Sequence, residues 1–225
     1  MTSSIPIEPF LDLARTYPVF DVRTPAEFAR GHIPGAFNLP LFSNEERVEI
    51  GTLYKQRGRN EAVLRGLELT GPKLRLLVEA VQSSVDSRHI LVHCWRGGMR
   101  SGSVAWLLDF YGYRVTTLQG GYKAFRGLVH RTFDHSRPLI ILGGKTGSGK
   151  THILHALHTL GEQIIDLEAL AHHKGSSFGR LGETEHPTQE HFENELALHL
   201  HRADPKRPIW VEDESRKIGW VRLPD

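Results

Sequence analysis

Short apolar runs alternate along this chain with longer stretches in which apolar residues recur at helical spacing. The short runs, which are typical of buried strands, lie at 19–22, 37–39, 89–93, 114–118, 139–142, 163–166 and 208–211. The longer stretches predict helices near 9–16, 24–31, 72–81, 101–111, 122–129, 150–160 and 188–203. Strands that alternate with helices predict an α/β fold with parallel sheets and helices on their faces.

Two local signals fix helix ends within this pattern. Thr24, Pro25 and Glu27 form a capping box at the start of the second predicted helix. Gly112 is placed to end the helix that precedes it. Residues 43–71 are polar and highly charged, and their pattern assigns them to neither helix nor strand.

The only cysteine, Cys94, follows the strand at 89–93 and precedes the helix at 101–111. The loop amides and the helix N-terminus converge there, so we expect an anion site and an easily ionised thiol. Arg100 adds a forked, permanently charged donor for a second anion. The candidate catalytic residues are therefore Cys94 and Arg100, and the predicted anion cradle comprises Trp95, Arg96, Gly97, Gly98, Met99 and Ser101.

A second loop follows the apolar strand at 139–142 and opens the next helix. It reads G-x4-G-K-T, the phosphate-binding P-loop, in the strand–loop–helix context that this motif requires. Main-chain amides are expected to hold a diphosphate, the lysine to neutralise its outer oxygens and the threonine to hold Mg²⁺. The residues of this predicted site are Gly144, Gly147, Ser148, Gly149, Lys150 and Thr151.

Acidic residues lie at the ends of the two later strands. Asp166 and the run of Glu212, Asp213 and Glu214 stand where open α/β sheets bind ligands, and they are candidates for Mg²⁺ binding through water. A purely solubilising role for these charges stays open. The fourteen histidines lack the partners and spacing of a zinc site, so no metal is assigned to them.

Composition restricts the possible partners and surroundings. A single cysteine cannot form an internal disulfide and fits a reducing, cytoplasmic setting, so no disulfide-linked partner is expected. No apolar run is long enough to span a membrane, and no secretory signal is visible. The net charge of +2 permits an RNA partner without arguing for one. Candidate phosphate contacts, each of which could equally be a solvated surface arginine, are Arg57, Arg59, Arg96, Arg126 and Arg131.

The first half of the chain resembles the rhodanese domains. The resemblance is carried by residues 21–28 and 31–36, by the cysteine loop, and by the motif at 118–122. In rhodaneses the loop cysteine carries sulfur as a persulfide, and Cys94 occupies that position. The spacing Cys-x5-Arg departs from common sulfurtransferase loops and resembles the rhodanese-fold phosphatases. It predicts a wider cradle for a larger tetrahedral anion or a larger chalcogen.

The whole chain resembles the tRNA 2-selenouridine synthases, because a rhodanese-like domain at 1–130 precedes a P-loop domain at 138–225. The motifs that carry this resemblance lie at 94–101, 144–151, 175–179, 187–189 and 212–216. The resemblance implies modification of the tRNA wobble uridine. In that family 2-thiouridine is first geranylated from geranyl diphosphate and then converted to 2-selenouridine with selenophosphate.

The same resemblance sets further expectations. The partners would be tRNA and small anions, with no tightly bound cofactor. The family continues beyond residue 225, and only three strands follow Pro138, so we expect an incomplete second domain. Two alternatives stay open: a rhodanese-fold phosphatase or sulfurtransferase that uses the Cys-x5-Arg loop, and a nucleotide-binding sensor whose rhodanese unit is an interaction module.

Overall fold

The computed structural model describes residues 2–145, 147–173 and 186–224. The chain divides into two compact units, Met1–Arg126 and Gly127–Asp225. The domain ranges 1–130 and 138–225 stay predictions, and the division between the compact units falls inside a helix. The predicted loop at 175–179 lies outside the described residues.

The helices and strands alternate as the apolar pattern predicts. The strands are β1 (Ser3–Ile5), β2 (Val19–Asp21), β3 (Phe37–Asn38), β4 (His89–His93), β5 (Arg114–Leu118), β6 (Leu139–Leu142), β7 (Gln163–Ile165), β8 (Ile209–Glu212), β9 (Lys217–Ile218) and β10 (Val221–Arg222). The helices are α1 (Ile7–Leu13), α2 (Pro25–Arg30), α3 (Asn44–Arg57), α4 (Arg59–Thr70), α5 (Leu74–Ser84), α6 (Met99–Tyr111), α7 (Gly121–Phe133), α8 (Lys150–Thr159), α9 (Leu167–Leu170) and α10 (Gln189–Arg202), with a 3₁₀ turn at Gly71–Lys73.

The first unit is built on a five-stranded parallel sheet in the order β1-β5-β4-β2-β3. Its core fills with side chains of β2, β4 and β5 against those of α5 and α6, among them Phe20, Val81, Ile90, Val92 and Leu108. In a parallel sheet the carboxyl ends of all strands lie at one edge. Cys94, which follows β4 directly, therefore stands at the ligand-binding edge of this sheet.

Two parts of this unit escape the sequence pattern. Ser3–Ile5, expected as a lead-in, is strand β1, paired in parallel with β5. The unassigned residues 43–71 form α3 and α4, joined by the single residue Gly58, whose φ of +88° suits glycine. The capping box of Thr24 and Glu27 and the left-handed Gly112 are confirmed as helix ends.

The second unit carries a three-stranded parallel sheet in the order β6-β8-β7, and β9 and β10 form a small antiparallel hairpin. Its core contains Ile165, Phe192, Leu196 and Ile209. The prediction of β6 as a buried strand is wrong, because Leu139 and Ile141 are 51% and 63% exposed. The reason is its place at an edge of the sheet, where it pairs only with β8 among the described residues.

Helix α7 runs to Phe133, beyond the predicted end at residue 129. Among the helices that the structure describes, none combines the length and the apolar character needed to cross a membrane.

Candidate functional site

Cys94 lies at the base of a tight loop between β4 and α6, and its sulfur is surrounded by hydrogen-bond donors. The main-chain N–H of Gly98 donates to Sγ at 3.3 Å, and the Ser101 hydroxyl lies 3.2 Å from it. The side chain is buried, with 3% of its surface exposed. A reacting group must therefore enter the loop to meet the sulfur.

The surroundings of Cys94 favour the thiolate. Burial raises the pKa of a thiol, but hydrogen bonds from the Ser101 side chain and from the main chain of Ser101, Arg96 and Gly98 outweigh it. The net effect holds the Cys94 pKa below its ordinary value. A thiol with a depressed pKa is a nucleophile or anion partner rather than an inert core side chain.

The cysteine loop is locked against the turn between β5 and α7. Tyr122 donates its N–H to the Cys94 carbonyl at 2.8 Å, and Lys123 donates to the Trp95 carbonyl at 2.9 Å. At Gly97, with φ of +67°, an added Cβ would stand 2.7 Å from the Leu118 carbonyl oxygen. Glycine is therefore required there by both conformation and space. These contacts hold the loop amides in place before any ligand arrives.

Arg100, predicted as an anion donor, makes a two-pronged ion pair with Glu27. Its Nη1 lies 2.6 Å from Oε2 of Glu27, and its Nη2 lies 3.3 Å from Oε1. Burial opposes ionisation of Glu27, but the Arg100 contact and the Thr24 amide keep the pKa of that carboxyl below its usual range. Glu27, recognised in the sequence only as a helix cap, thus also orients the arginine of the cysteine loop.

A buried polar cluster lies behind the loop. The sequence motifs predicted no functional role for its members. The Arg23 guanidinium, 1% exposed, binds the Asp21 carboxylate at 2.6 Å and lies 3.7 Å above the Tyr122 ring. His93, fully buried, places Nδ1 3.8 Å from Asp21. Burial opposes ionisation of Asp21, but the guanidinium and the main-chain N–H of Arg23 hold its pKa below the usual value. Burial lowers the pKa of His93 and so favours its neutral form.

The entrance to the cysteine loop is open to solvent. Trp95 and Met99 are 37% and 55% exposed, and Arg96 is exposed between them. Across this entrance, Nη2 of Arg59 in α4 lies 3.8 Å from the Met99 sulfur. The one-residue turn between α3 and α4 therefore lies beside the entrance to Cys94.

The P-loop in the second unit has the expected backbone. Gly147 and Gly149 have φ of +79° and +84°, and α8 begins at Lys150. An added Cβ at Gly144 would stand 2.7 Å from the Ser148 hydroxyl. Lys150 Nζ donates to the Gly144 carbonyl at 3.1 Å and so folds back over the loop. Thr146 lies outside the described residues.

Next to this loop, three carboxylates lie close together, and two of them contact the Thr151 hydroxyl. Glu168, Glu212 and Glu214 each offer an oxygen within 4.8 Å of the others, and Thr151 Oγ1 lies 3.3 Å from Glu212 and 3.5 Å from Glu168. Burial and the neighbouring Glu168 raise the pKa values of Glu212 and Glu214. Buried Oε1 of Glu212 has no hydrogen-bond partner within the described part of the chain. An all-oxygen set with an unpaired buried carboxylate oxygen fits a hard divalent cation such as Mg²⁺.

Of the acidic residues predicted from the sequence, Glu212 and Glu214 belong to this group. Asp166 instead caps α9 through the Ala169 amide and contacts His155 Nε2 at 2.8 Å. Asp213 is exposed and does not contribute to the cluster. Glu168, in the first turn of α9, was missed.

A rhodanese-type cysteine loop and a P-loop with an acidic cluster thus occur in one chain, which defines a two-site α/β protein. The comparisons agree with this class. Residues 9–128 match the model of the rhodanese-like domain, and residues 137–225 match that of the tRNA 2-selenouridine synthase AAA domain. The chain thus contains a rhodanese-like domain, and its second half is similar to the AAA domain of the tRNA 2-selenouridine synthases.

Individual relatives support this assignment over nearly the whole chain. The tRNA 2-selenouridine synthases of Shewanella loihica and Nitrosomonas europaea are 42% and 39% identical over 94% and 92% of this chain. The chain spans 58% and 56% of their lengths. A crystal structure of an N-terminal domain from Clostridium difficile 630 is 42% identical, with a TM-score of 0.51, over 56% of this chain and 98% of its own.

Proposed function

We propose that this chain carries the two reaction centres of a tRNA-modifying transferase that converts 2-thiouridine to 2-selenouridine through an S-geranyl intermediate. The observation that carries the proposal is the pairing, in one chain, of a thiolate-favouring cysteine loop with a P-loop. The names of the relatives support selenouridine formation in tRNA. The substrates geranyl diphosphate and selenophosphate come from the family resemblance together with the chemistry of the two loops.

The P-loop suits the first step. The uridine sulfur attacks the allylic carbon of geranyl diphosphate, a carbon–sulfur bond forms, the carbon–oxygen bond breaks and diphosphate leaves with its electron pair. Main-chain amides of residues 147–150 and the Lys150 ammonium would stabilise the charge that develops on this leaving group. Mg²⁺, held by Thr151 and Glu212, would supply further charge neutralisation when it is bound.

The cysteine loop suits the second step. Selenium from selenophosphate bonds to C2 of the base. The bond between C2 and sulfur breaks, and geranyl thiolate leaves with the electron pair. Water takes the phosphoryl group, so phosphate is released and no oxidant or reductant is needed. The amides around Cys94 and the wide Cys-x5-Arg loop match a tetrahedral selenium-bearing anion, and we place selenation there.

Separate substitutions test this division of labour. Cys94→Ala is expected to abolish selenouridine while the S-geranyl nucleoside accumulates, and Lys150→Ala is expected to abolish geranylation. Mass spectrometry of the nucleosides from tRNA incubated with the protein, geranyl diphosphate and selenophosphate measures both. An untouched nucleoside profile in both variants contradicts the proposal. Hydrolysis of an aryl phosphate that is lost in Cys94→Ser would instead support the phosphatase alternative.

The length of the relatives adds a comparison. The rate of tRNA modification by the 225-residue chain is measured beside that of one of the longer relatives. The comparison shows whether these 225 residues are sufficient for the reaction. We expect the shorter chain to be slower, since it spans only 58% and 56% of the lengths of two of these relatives. Equal rates would contradict that expectation.

A further inference from the structure

Basic and aromatic side chains gather on one side of the first unit, around the entrance to Cys94. On the helix side of this entrance lie Arg57 and Arg59, which flank Gly58 in the turn between α3 and α4. On the loop side lie Trp95 and Arg96. All four residues are exposed. We call these four residues the rim.

The position of the rim relative to the sulfur follows from two contacts. The Arg59 guanidinium lies 3.8 Å from the Met99 sulfur, and Met99 directly follows Gly98, whose amide points at the Cys94 sulfur. The turn between α3 and α4 is thereby fixed beside the loop that holds the thiol. The Arg59 guanidinium therefore stands at the entrance, and Arg57 lies two residues before it in the chain.

The charges of the rim are available to a ligand. Within the described residues Arg57 and Arg96 form no ion pair, and Arg59 donates a side-chain hydrogen bond to the neutral Met99 sulfur. By contrast, Arg65 and Arg75 on α4 and α5 are paired with glutamates. An unpaired set of arginines beside a thiolate-favouring loop is complementary to a polyanion.

Trp95 adds a second kind of contact. Its ring rests 5.8 Å from that of Tyr122, measured between centroids, and more than a third of its surface faces solvent. Cys94, the preceding residue, is 3% exposed. A base that reacts at the thiol must therefore be turned out of its strand and inserted, as in enzymes that act on unstacked bases. An exposed aromatic ring at such an entrance is suited to stacking against a nucleobase.

From this arrangement we propose that the rim is a single-stranded RNA site, in which Arg57, Arg59 and Arg96 bind phosphates while Trp95 stacks on the base presented to Cys94. The proposal rests on the proposed tRNA modification and adds the surface that receives the RNA. A free small anion would need only the loop amides. Arginines spread over the α3–α4 turn, with an aromatic ring among them, match a chain of phosphates and bases.

The experiment measures binding of a fluorescent anticodon stem-loop RNA by anisotropy at several salt concentrations. For the double variant R57A/R59A, affinity is expected to fall, and the slope of log affinity against log salt to become shallower by about 1.4, since each single-strand phosphate contact contributes about 0.7. Trp95→Ala is expected to lower affinity at least about fivefold with an unchanged slope, because stacking is uncharged.

Arg15→Ala is the matched control. Arg15 is exposed and follows α1, which leads back to the start of β2, at the sheet edge opposite to Cys94. Inorganic polyphosphate serves as a polyanion without bases. R57A/R59A should weaken its binding and Trp95→Ala should not. Thermal melting of each variant checks that it is folded.

The outcomes separate the two proposals. If the wild-type chain binds the stem-loop and R57A/R59A keeps its affinity and salt slope, as Arg15→Ala is expected to do, the rim site is overturned and the tRNA reaction stands. Loss of polyphosphate binding in Trp95→Ala overturns the stacking role. A wild-type chain that modifies tRNA nucleosides yet does not bind the stem-loop overturns the rim alone, whereas no modification of tRNA at all contradicts the proposed function.

Discussion

The carboxylate of Glu27 holds Arg100 in a two-pronged ion pair while it also caps the first turn of α2 through the Thr24 amide. One side chain thus joins the helix of the first sequence motif to the helix that follows the cysteine. The guanidinium of Arg100 is 15% exposed and the carboxylate 29%, so the pair is only partly screened by water.

Glu27→Gln separates the two tasks, because glutamine keeps the cap and removes the charge. We expect a loss of up to about 1 kcal/mol in the free energy of unfolding at neutral pH, measured by urea denaturation. The pKa of Glu27 is lowered in the folded state. The difference in free energy of unfolding between the wild type and Glu27→Gln is therefore largest above the ordinary glutamate pKa, and it disappears as the pH falls through the pKa of the folded state. A difference that grows on acidification contradicts this.

The reactivity of Cys94 should follow its depressed pKa. The rate of alkylation by iodoacetamide is expected to rise with pH around a midpoint below the ordinary thiol value of about 8.5. Ser101→Ala removes the hydroxyl beside the sulfur and should shift that midpoint upward. Ser103→Ala, on the exposed side of the same helix, should leave it in place. Equal midpoints in the wild type and Ser101→Ala would show that the hydroxyl does not favour the thiolate.

The buried pair of Asp21 and Arg23 should be costly to break. Asp21→Asn leaves the guanidinium buried without its counter-charge, and we expect about 3–5 kcal/mol of destabilisation, measured by urea denaturation. Because the pKa of Asp21 is lowered on folding, this contribution is present above the ordinary aspartate pKa and is lost as pH falls below it. A loss smaller than that of Glu27→Gln would contradict the ranking of the two pairs.

The acidic cluster beside Thr151 predicts two effects of opposite sign. Glu212→Gln relieves repulsion from Glu168 and Glu214, so without metal the variant should melt at a higher temperature than the wild type. With Mg²⁺ at about one hundred times its dissociation constant, the wild type should gain about 2.7 kcal/mol, and the variant should gain much less. Asp213→Asn is the control, since Asp213 is outside the cluster. Equal stabilisation of Glu212→Gln by Mg²⁺ would exclude Glu212 as a ligand.

The sequence predicted those elements whose apolar pattern and end signals agree. The strands β4 and β5, the capping box of α2 and the turn after Gly112 all belong to this class. Strand β1 was missed because Ser3 and Ser4 carry no apolar signal, and its conformation comes from pairing with β5. Helices α3 and α4 were missed because many of their apolar residues, such as Val48 and Leu64, face solvent and form no clear stripe.

The motifs located the two loops but not the groups that support them. A pattern of spacing cannot show that Glu27, some seventy residues before Arg100, reaches its guanidinium, because that contact depends on how α2 and α6 meet. The choice of Asp166 over Glu168 failed for a local reason. Asp166 is the N-cap of α9 and is used by that helix, so the next turn supplies the carboxylate beside Thr151.

The exposed apolar side chains of β6 affect the tendency of the protein to self-associate in solution. Within the described part of the chain β6 pairs only with β8, so its other edge offers main-chain groups to another molecule. The exposed Leu139, Ile140 and Ile141 add apolar contacts. Concentrated samples of this chain should therefore self-associate, visible as faster sedimentation on raising the protein concentration, and Ile141→Lys should keep them dispersed. Kinetic measurements on either reaction centre are best made at low protein concentration, because self-association would otherwise alter the observed rate.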